Sequence, residues 1–518
     1  MGGGRVRGVD ADTPLLRVVA LKVGPIVEGL RTRAPAIGAG RRRPFLVGLM
    51  GLSLVPMLSA CNFISERPDI VLEAPPPYRA GRGTSAPPAL DWWRGFRSDE
   101  LTRLIEEAQA NNADISVAIA RIVEADANSK VAGAPLLPTL TANLQGLRSR
   151  PSQTTGPGGT GGGGPAEREL YTAVLNASYE IDFWGKNRAA SLAAEETAVA
   201  SRFNKEVVVL STIASVGNAY FLVLASQDQL RVTRSNVAAA DRILTLIKQR
   251  SEAGTASQLD VAQQEALVAT LRATIPVFDL TLRQNIATLA VLIGRAPAEL
   301  TVKGGSLFRL GTPRVTPGLP SELLFQRPDI RAAEANLASS EASVEFARAA
   351  FFPSITLTGQ GGYQSAVFKL LFRPESALYQ IAANLVQPIL DGARLEGQLE
   401  FAKGVQLEML ETYRKAVLSA FGDVERALIA VADTTQQERL QQQAVASSRR
   451  AFEIAEIRLR EGTVDLVTVL QTQQTFFTNE NNLTLSRLAR MQAILSLFQA
   501  LGGGWMPAAT GAGAVVVQ

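Results

Sequence analysis

The sequence predicts an α+β membrane protein of two tandem repeats, each supplying a pair of β-strands and a long coiled-coil helical hairpin. Three observations carry that prediction. Motifs recur at an interval near 208 residues, alternating stretches come in pairs, and proline disappears from two long spans of helical periodicity.

The repetition is ordered. Arg250, Gly254 and Thr255 recur as Arg458, Gly462 and Thr463, and Leu292-Ile293-Gly294 recurs as Ala500-Leu501-Gly502. Leu137-Pro138-Thr139-Leu140-Thr141 recurs as Phe352-Pro353-Ser354-Ile355-Thr356, and Phe183-Trp184-Gly185 as Leu390-Asp391-Gly392. Four matches in one order mark a duplicated unit, with a longer surface loop in the first copy. The repeats are placed at 98–300 and 320–505. An N-terminal linker (62–97), an equatorial linker (301–319) and a C-terminal tail (506–518) surround them.

Each repeat opens with a helix signal. Ser98-Asp99-Glu100 offers an N-cap and first-turn acids, with Leu101, Leu104, Ile105 and Ala108 following at helical spacing. Arg327-Pro328-Asp329-Ile330 puts proline in a first turn, where its missing N–H costs nothing. Both helices are expected to run to a proline, Pro138 or Pro353, and then into extended chain.

Extended stretches at 138–148 and 169–183 flank a segment, 151–166, that carries seven glycines and three prolines. Along the second, Tyr171, Ala173, Leu175, Ala177, Tyr179, Ile181 and Phe183 alternate with a mostly polar set. Stretches 353–363 and 378–389 repeat the pattern more weakly. About 10 residues is what a tilted strand needs to cross a bilayer.

No proline occurs between Pro165 and Pro276 or between Pro388 and Pro507. There Val207, Leu210, Ala214, Gly217, Phe221 and Leu224 form one apolar stripe, and Leu488, Met491, Leu495 and Phe498 another. These stripes are scaffold. Gly254 and Gly462 read as reversals between antiparallel helices. Helices over 186–251 and 393–460 would each be roughly 100 Å long at 1.5 Å per residue. Four strands cannot cross lipid alone, because a sheet there must close to satisfy its backbone, and the smallest common barrels have eight strands. A homo-oligomer with a barrel above a helical cylinder follows.

Composition narrows the function. The chain has no histidine and one cysteine, which removes the usual general base and thiolate metal clusters, and no phosphate loop or serine elbow is present. An enzyme is not expected. Cys61 follows Arg41, Arg42 and Arg43 and the uncharged stretch 44–60, which ends Leu58-Ser59-Ala60. These are the parts of an export signal, and the ending looks like a lipobox that would make Cys61 an acylated first residue. Residues 1–40 read either as an extended basic region or as sequence from an upstream start. Residues 1–61 carry nine Lys/Arg and three Asp/Glu, so the overall +4 becomes −2 without them, and nucleic acid is not an expected partner.

Several fragments then resemble the outer-membrane factor (TolC-like) family, in its NodT-type lipoprotein branch. They are Trp92-Trp93, Asp182-Phe183-Trp184-Gly185, Gln326-Arg327-Pro328-Asp329-Ile330, Pro388-Ile389-Leu390-Asp391-Gly392, Asp423-Val424-Glu425 and Ala500-Leu501-Gly502-Gly503-Gly504-Trp505. The resemblance implies a homotrimer whose strands pool into one twelve-stranded β-barrel, continuous with a periplasmic α-barrel. It implies a passive exit duct for drugs or other small molecules, with a periplasmic adaptor and a proton-driven inner-membrane pump as partners. No metal or cofactor is implied beyond the lipid on Cys61.

The same resemblance makes the glycine turns, Gly254-Thr255 and Gly462-Thr463, periplasmic tips that meet the adaptor. It makes Asp260, Asp465, Thr468 and Gln471 candidates for the gate. Asp465 could equally cap the helix after its turn. The family pattern has an aspartate where this chain has Gln471, so a less cation-selective constriction is expected. A duct for type I protein secretion is the alternative, and a lipid-anchored structural coiled coil is a more distant one.

Overall fold

The computed structural model describes residues 89–150, 167–313 and 326–503. The signal segment with Cys61, the glycine-rich stretch 151–166, Trp505 and the tail lie outside the described residues, as do parts of both linkers.

In chain order the elements are α1 (Asp99–Asn111), α2 (Ala113–Gly133), β1 (Thr139–Ser149), β2 (Arg168–Ile181), α3 (Lys186–Glu252) and α4 (Gln258–Leu292). The second half supplies α5 (Pro328–Ala349), β3 (Ser354–Ser365), β4 (Ala377–Val386), α6 (Arg394–Arg460) and α7 (Leu466–Ala500). The duplication is metrical as well as verbal. Helices α3 and α6 each have 67 residues, and α4 and α7 each have 35.

The helix that begins at Ser98 stops sooner than the sequence suggests. Ser98 does cap α1, its hydroxyl accepting the Leu101 N–H at 3.2 Å. The chain then breaks at Asn112, whose side chain accepts the N–H groups of Asp114 and Ile115 and starts α2. The counterpart of α5 is therefore α2. In both repeats the residue before this helix also closes the unit. Asn112 donates to the Leu292 carbonyl at 2.7 Å, and Arg327 donates to the Ala500 carbonyl at 3.1 Å, each at the end of its own 35-residue helix.

Arg327 explains why distant motifs travel together. Its guanidinium forks onto Asp329 at 2.7 and 3.0 Å and reaches Asp423 at 3.2 Å. Burial works against the charge, but the two carboxylates hold the guanidinium above its ordinary range. Trp92 likewise joins both ends of the described chain, stacking on Phe498 at 4.5 Å and donating to the Gly503 carbonyl at 3.1 Å.

The two apolar stripes meet in one core. Ala214, Phe221 and Leu224 of α3 pack with Leu488, Met491, Leu495 and Phe498 of α7 beneath Trp92, Trp93 and Phe96. Gly217 lets the Leu495 side chain approach, since its methyl would sit 3.1 Å from any Cβ there. Helix α3 contains an 18-residue window apolar enough to span a bilayer, yet more than half of it is buried inside the protomer. It is a core helix. Helix α4 continues through Pro276, which is exposed, and the Thr274 hydroxyl takes the Leu271 carbonyl one turn back.

Candidate functional site

The four strands form one antiparallel sheet in the order β1-β2-β3-β4, so β2 and β3 join the repeats. The register sorts the side chains. Leu140, Ala142 and Leu144 lie across from Ala177, Leu175 and Ala173, which in turn lie across from Gly359, Gly361 and Tyr363. Ile381, Tyr379 and Ala377 complete that row. On the other face Thr141, Asn176, Gln360 and Gln380 stand in line, flanked by Thr139, Ser178 and Thr358.

One face is thus greasy and the other is lined with amides and hydroxyls. The greasy face is open: Leu144 is 81 % exposed and Ile381 84 %. An apolar sheet face of this height belongs in hydrocarbon, where strands of 11 and 10 residues such as β1 and β4 suffice to cross. Both β1 and β4 keep one unpaired edge, which lipid does not tolerate. Because the strands alternate in direction, β4 of one copy lies antiparallel to β1 of another, and pooled copies can close the sheet.

Short joints connect the sheet to the long helices. Asp182 accepts the N–H groups of Asn187 and Arg188 at the start of α3, at 3.0 and 2.9 Å. Asp391 does the same for Leu395 at the start of α6, at 2.9 Å. Trp184 stacks on Phe352 and donates to the Pro353 carbonyl at 2.9 Å, fastening the base of β2 to that of β3.

At the far end the two hairpin turns are nearly superimposable in their bonding. Gly254 and Gly462 take φ of 73° and 74°, the left-handed region that glycine enters without cost. The Thr255 N–H returns to the Arg250 carbonyl at 2.8 Å, and the Thr463 N–H to the Arg458 carbonyl at 2.9 Å. Each threonine hydroxyl donates to the same carbonyl. The Arg250 guanidinium crosses to the Leu459 carbonyl at 2.5 Å and ties one tip to the other.

The sequence-predicted acids sit at the helix starts beyond these turns. Asp465 is the N-cap of α7, accepting the Thr468 N–H at 2.8 Å. The Thr468 hydroxyl and that N–H hold its carboxyl below the ordinary range. Asp260 is the third helical residue of α4, where it forms a reciprocal box with Ser257. Ser257 and Asp465 occupy equivalent positions in the two repeats, as do Asp260 and Thr468. Each of these helix starts carries one acid, Asp260 at the third helical position and Asp465 at the N-cap. Gln471 is exposed one turn into α7. Sequence reading missed Ser257 and the crossing bond of Arg250. The Ser-x-x-Asp spacing was a signal for the first, whereas nothing in sequence announces the second.

An amphipathic sheet with open edges, standing on helices about 100 Å long, defines the subunit of a membrane channel. The sequence profile described as outer membrane efflux protein matches residues 104–295 and 319–503, and the chain belongs to that family. It is similar to the pyoverdine export outer membrane protein OpmQ of Pseudomonas aeruginosa, 38% identical over 89% of this chain and 98% of that one. It is 31% identical to the toluene efflux pump outer membrane protein TtgF of Pseudomonas putida, over 88% and 96% of the two chains. Among solved structures, the open-state MtrE channel of Neisseria gonorrhoeae matches with a TM-score of 0.77 at 28% identity, covering 85% of this chain and 97% of that one. The protein is an outer-membrane efflux channel component with a TolC-like fold.

Proposed function

We infer that this chain is the passive exit duct of a tripartite efflux system for small organic molecules. The observation that carries the reading is the open-edged amphipathic sheet fixed to two 67-residue helices. In the proposed assembly three copies pool twelve strands into one barrel, and α3, α4, α6 and α7 of each copy build a periplasmic tube. Exposed rows on α4 (Leu259, Val277, Leu280) and α6 (Leu407, Leu418, Ile429) are the faces that neighbouring copies cover.

The tips at Gly254-Thr255 and Gly462-Thr463 meet a periplasmic adaptor, and a proton-driven inner-membrane pump supplies the cargo. Relatives named for pyoverdine export and toluene efflux support a small-molecule cargo. Residues 98–300 and 320–505 serve as the repeat units of this duct, joined by the linker 301–319. Acylation of Cys61 is a second tether to the outer membrane. Asp260, Asp465, Thr468 and Gln471 line the constriction.

The purified full chain in sealed vesicles should pass small solutes down their gradient with no energy source. Vesicles that stay impermeable while holding a correctly inserted oligomer contradict the duct. Gln471→Asp should raise cation selectivity in bilayer recordings, because crowded carboxylates concentrate negative potential on the axis. Unchanged selectivity removes Gln471 from the constriction.

A further inference from the structure

The segment from Ser306 to Leu310 falls in the gap between the two stretches matched by the family profile. It is nevertheless gripped from both repeats. Asp228, fully buried on α3, accepts the Ser306 hydroxyl at 3.0 Å and the Leu307 N–H at 2.9 Å. Arg487, buried on α7, donates to the Leu307 carbonyl at 3.2 Å and to the Leu310 carbonyl at 2.8 Å. A third nitrogen of that guanidinium reaches Glu438 of α6 at 3.2 Å. The Leu307 side chain is itself fully buried in the core shared by α3 and α7.

Asp228 and Arg487 carry opposite charges from opposite repeats, and each grips the other side of the Leu307 backbone. We propose that this segment is a clasp: Asp228 and Arg487, acting through Leu307, fix the axial register of α3 against α7 and provide the fulcrum about which the tips move. The fulcrum role rests on reading the tips as the gate.

Asp228 keeps its ion pair with Arg231 on α3 however that helix moves, but the joint is stiff, because a shift of α3 on α7 costs buried charged groups their hydrogen bonds to the Leu307 backbone. The links beside the clasp are neutral amide pairs in the same register, Asn218 with Gln492 at 2.6 Å and Gln229 with Asn481 at 3.0 Å. From Asp228 to the end of α3 at Glu252 is about 36 Å. A tilt of about 10° over that length shifts the tip by about 6 Å and leaves the clasp bonded, whereas sliding α3 on α7 by one turn, about 5.4 Å, breaks the bonds of the segment to Asp228 or those to Arg487. Opening is therefore a tilt without a slide.

Disulfide formation in the reconstituted full chain reads the register. Asn218→Cys with Gln492→Cys reports the native alignment, and Asn218→Cys with Ser496→Cys reports a one-turn slide. On the native background the first pair should close quickly and the second slowly. Arg487→Met and Asp228→Asn should each speed the second pair at least about tenfold, the scale set by losing hydrogen bonds to a charged group. Both should also shorten closed dwell times in single-channel records, and Arg487→Lys should restore part of each effect. Ser306→Ala removes one bond and no charge, so it keeps the test open where stronger variants fail to assemble. It should move both readouts in the same direction by a smaller factor.

Unchanged cross-linking rates in Arg487→Met channels that conduct as the native ones do overturn the clasp. A speeded second pair with unaltered gating overturns the fulcrum alone. If the native chain itself never conducts, the duct reading fails, and the cross-linking rates by themselves decide the clasp.

Discussion

Helices α4 and α7 are the same element written twice: 35 residues each, launched from the same kind of glycine turn and a side-chain N-cap. Their surroundings differ. Helix α7 buries sixteen residues and α4 buries four, because α7 packs against both α6 and α3 while α4 lies against α3 with its other side open. Leu280 and Leu488 hold equivalent positions, yet Leu280 is 57 % exposed and Leu488 9 %. Duplication sets the backbone, and the later divergence of side chains decides which copy makes the protomer core and which is left open.

The largest expected effect separates those two leucines. Leu488→Ala should destabilise the protomer by about 2–4 kcal/mol in denaturant titrations, because it empties packed volume between α3 and α7. Leu280→Ala should change protomer stability by no more than about 0.5 kcal/mol. It should instead lower the yield of heat-resistant oligomer on gels. Equal protomer losses from both variants would erase the division between the repeats.

The turns should behave alike where the helices do not. Gly254→Ala and Gly462→Ala meet no steric obstacle, so each should cost about 1 kcal/mol for placing a side chain in the left-handed region. A much larger cost at one turn would show that its tip does more than reverse the chain.

The smallest effects lie in the caps. Ser257→Ala should cost about 1 kcal/mol, by loss of a side-chain acceptor for a first-turn N–H. Asp465→Asn should weaken the second cap and remove its pH dependence. The Asp465 carboxyl lies below its usual range of 3.8 when folded, so its contribution is complete at neutral pH and is lost as acid protonates it. In denaturant titrations the stability difference between the native chain and Asp465→Asn should shrink as the pH falls through the range in which the folded carboxyl protonates.

Local signals in the sequence were strong where backbone geometry governs. Alternation located four strands, glycine and threonine located the turns, and proline-free spans cut by those turns placed α3 and α6 to within a residue or two. Proline proved a poorer guide in α4, since Pro276 lies on an exposed face and the helix runs through it. Asn112 was illegible because an asparagine inside a helical pattern does not reveal whether it will face Leu292. Long-range ionic contacts were hidden for a similar reason. Asp228, Glu438 and Arg487 look like ordinary surface charges on amphipathic helices, and only tertiary packing, of α6 on α7 and of the 306–310 segment on α3 and α7, pairs and buries them. For the tips, residue types pointed to the right turns, while the pairing of Ser257 with Asp260 and of Asp465 with Thr468 emerged from cap geometry.

In the proposed assembly β1 and β4 are edges only in the isolated protomer. Amide hydrogen exchange on the membrane-inserted protein tests it most directly, whatever the number of copies. With each edge paired to another copy, β1 and β4 should exchange as slowly as β2 and β3. Rapid exchange along β1 and β4 beside slow exchange in β2 and β3 would mean that the sheet stays open, and that the chain forms no barrel.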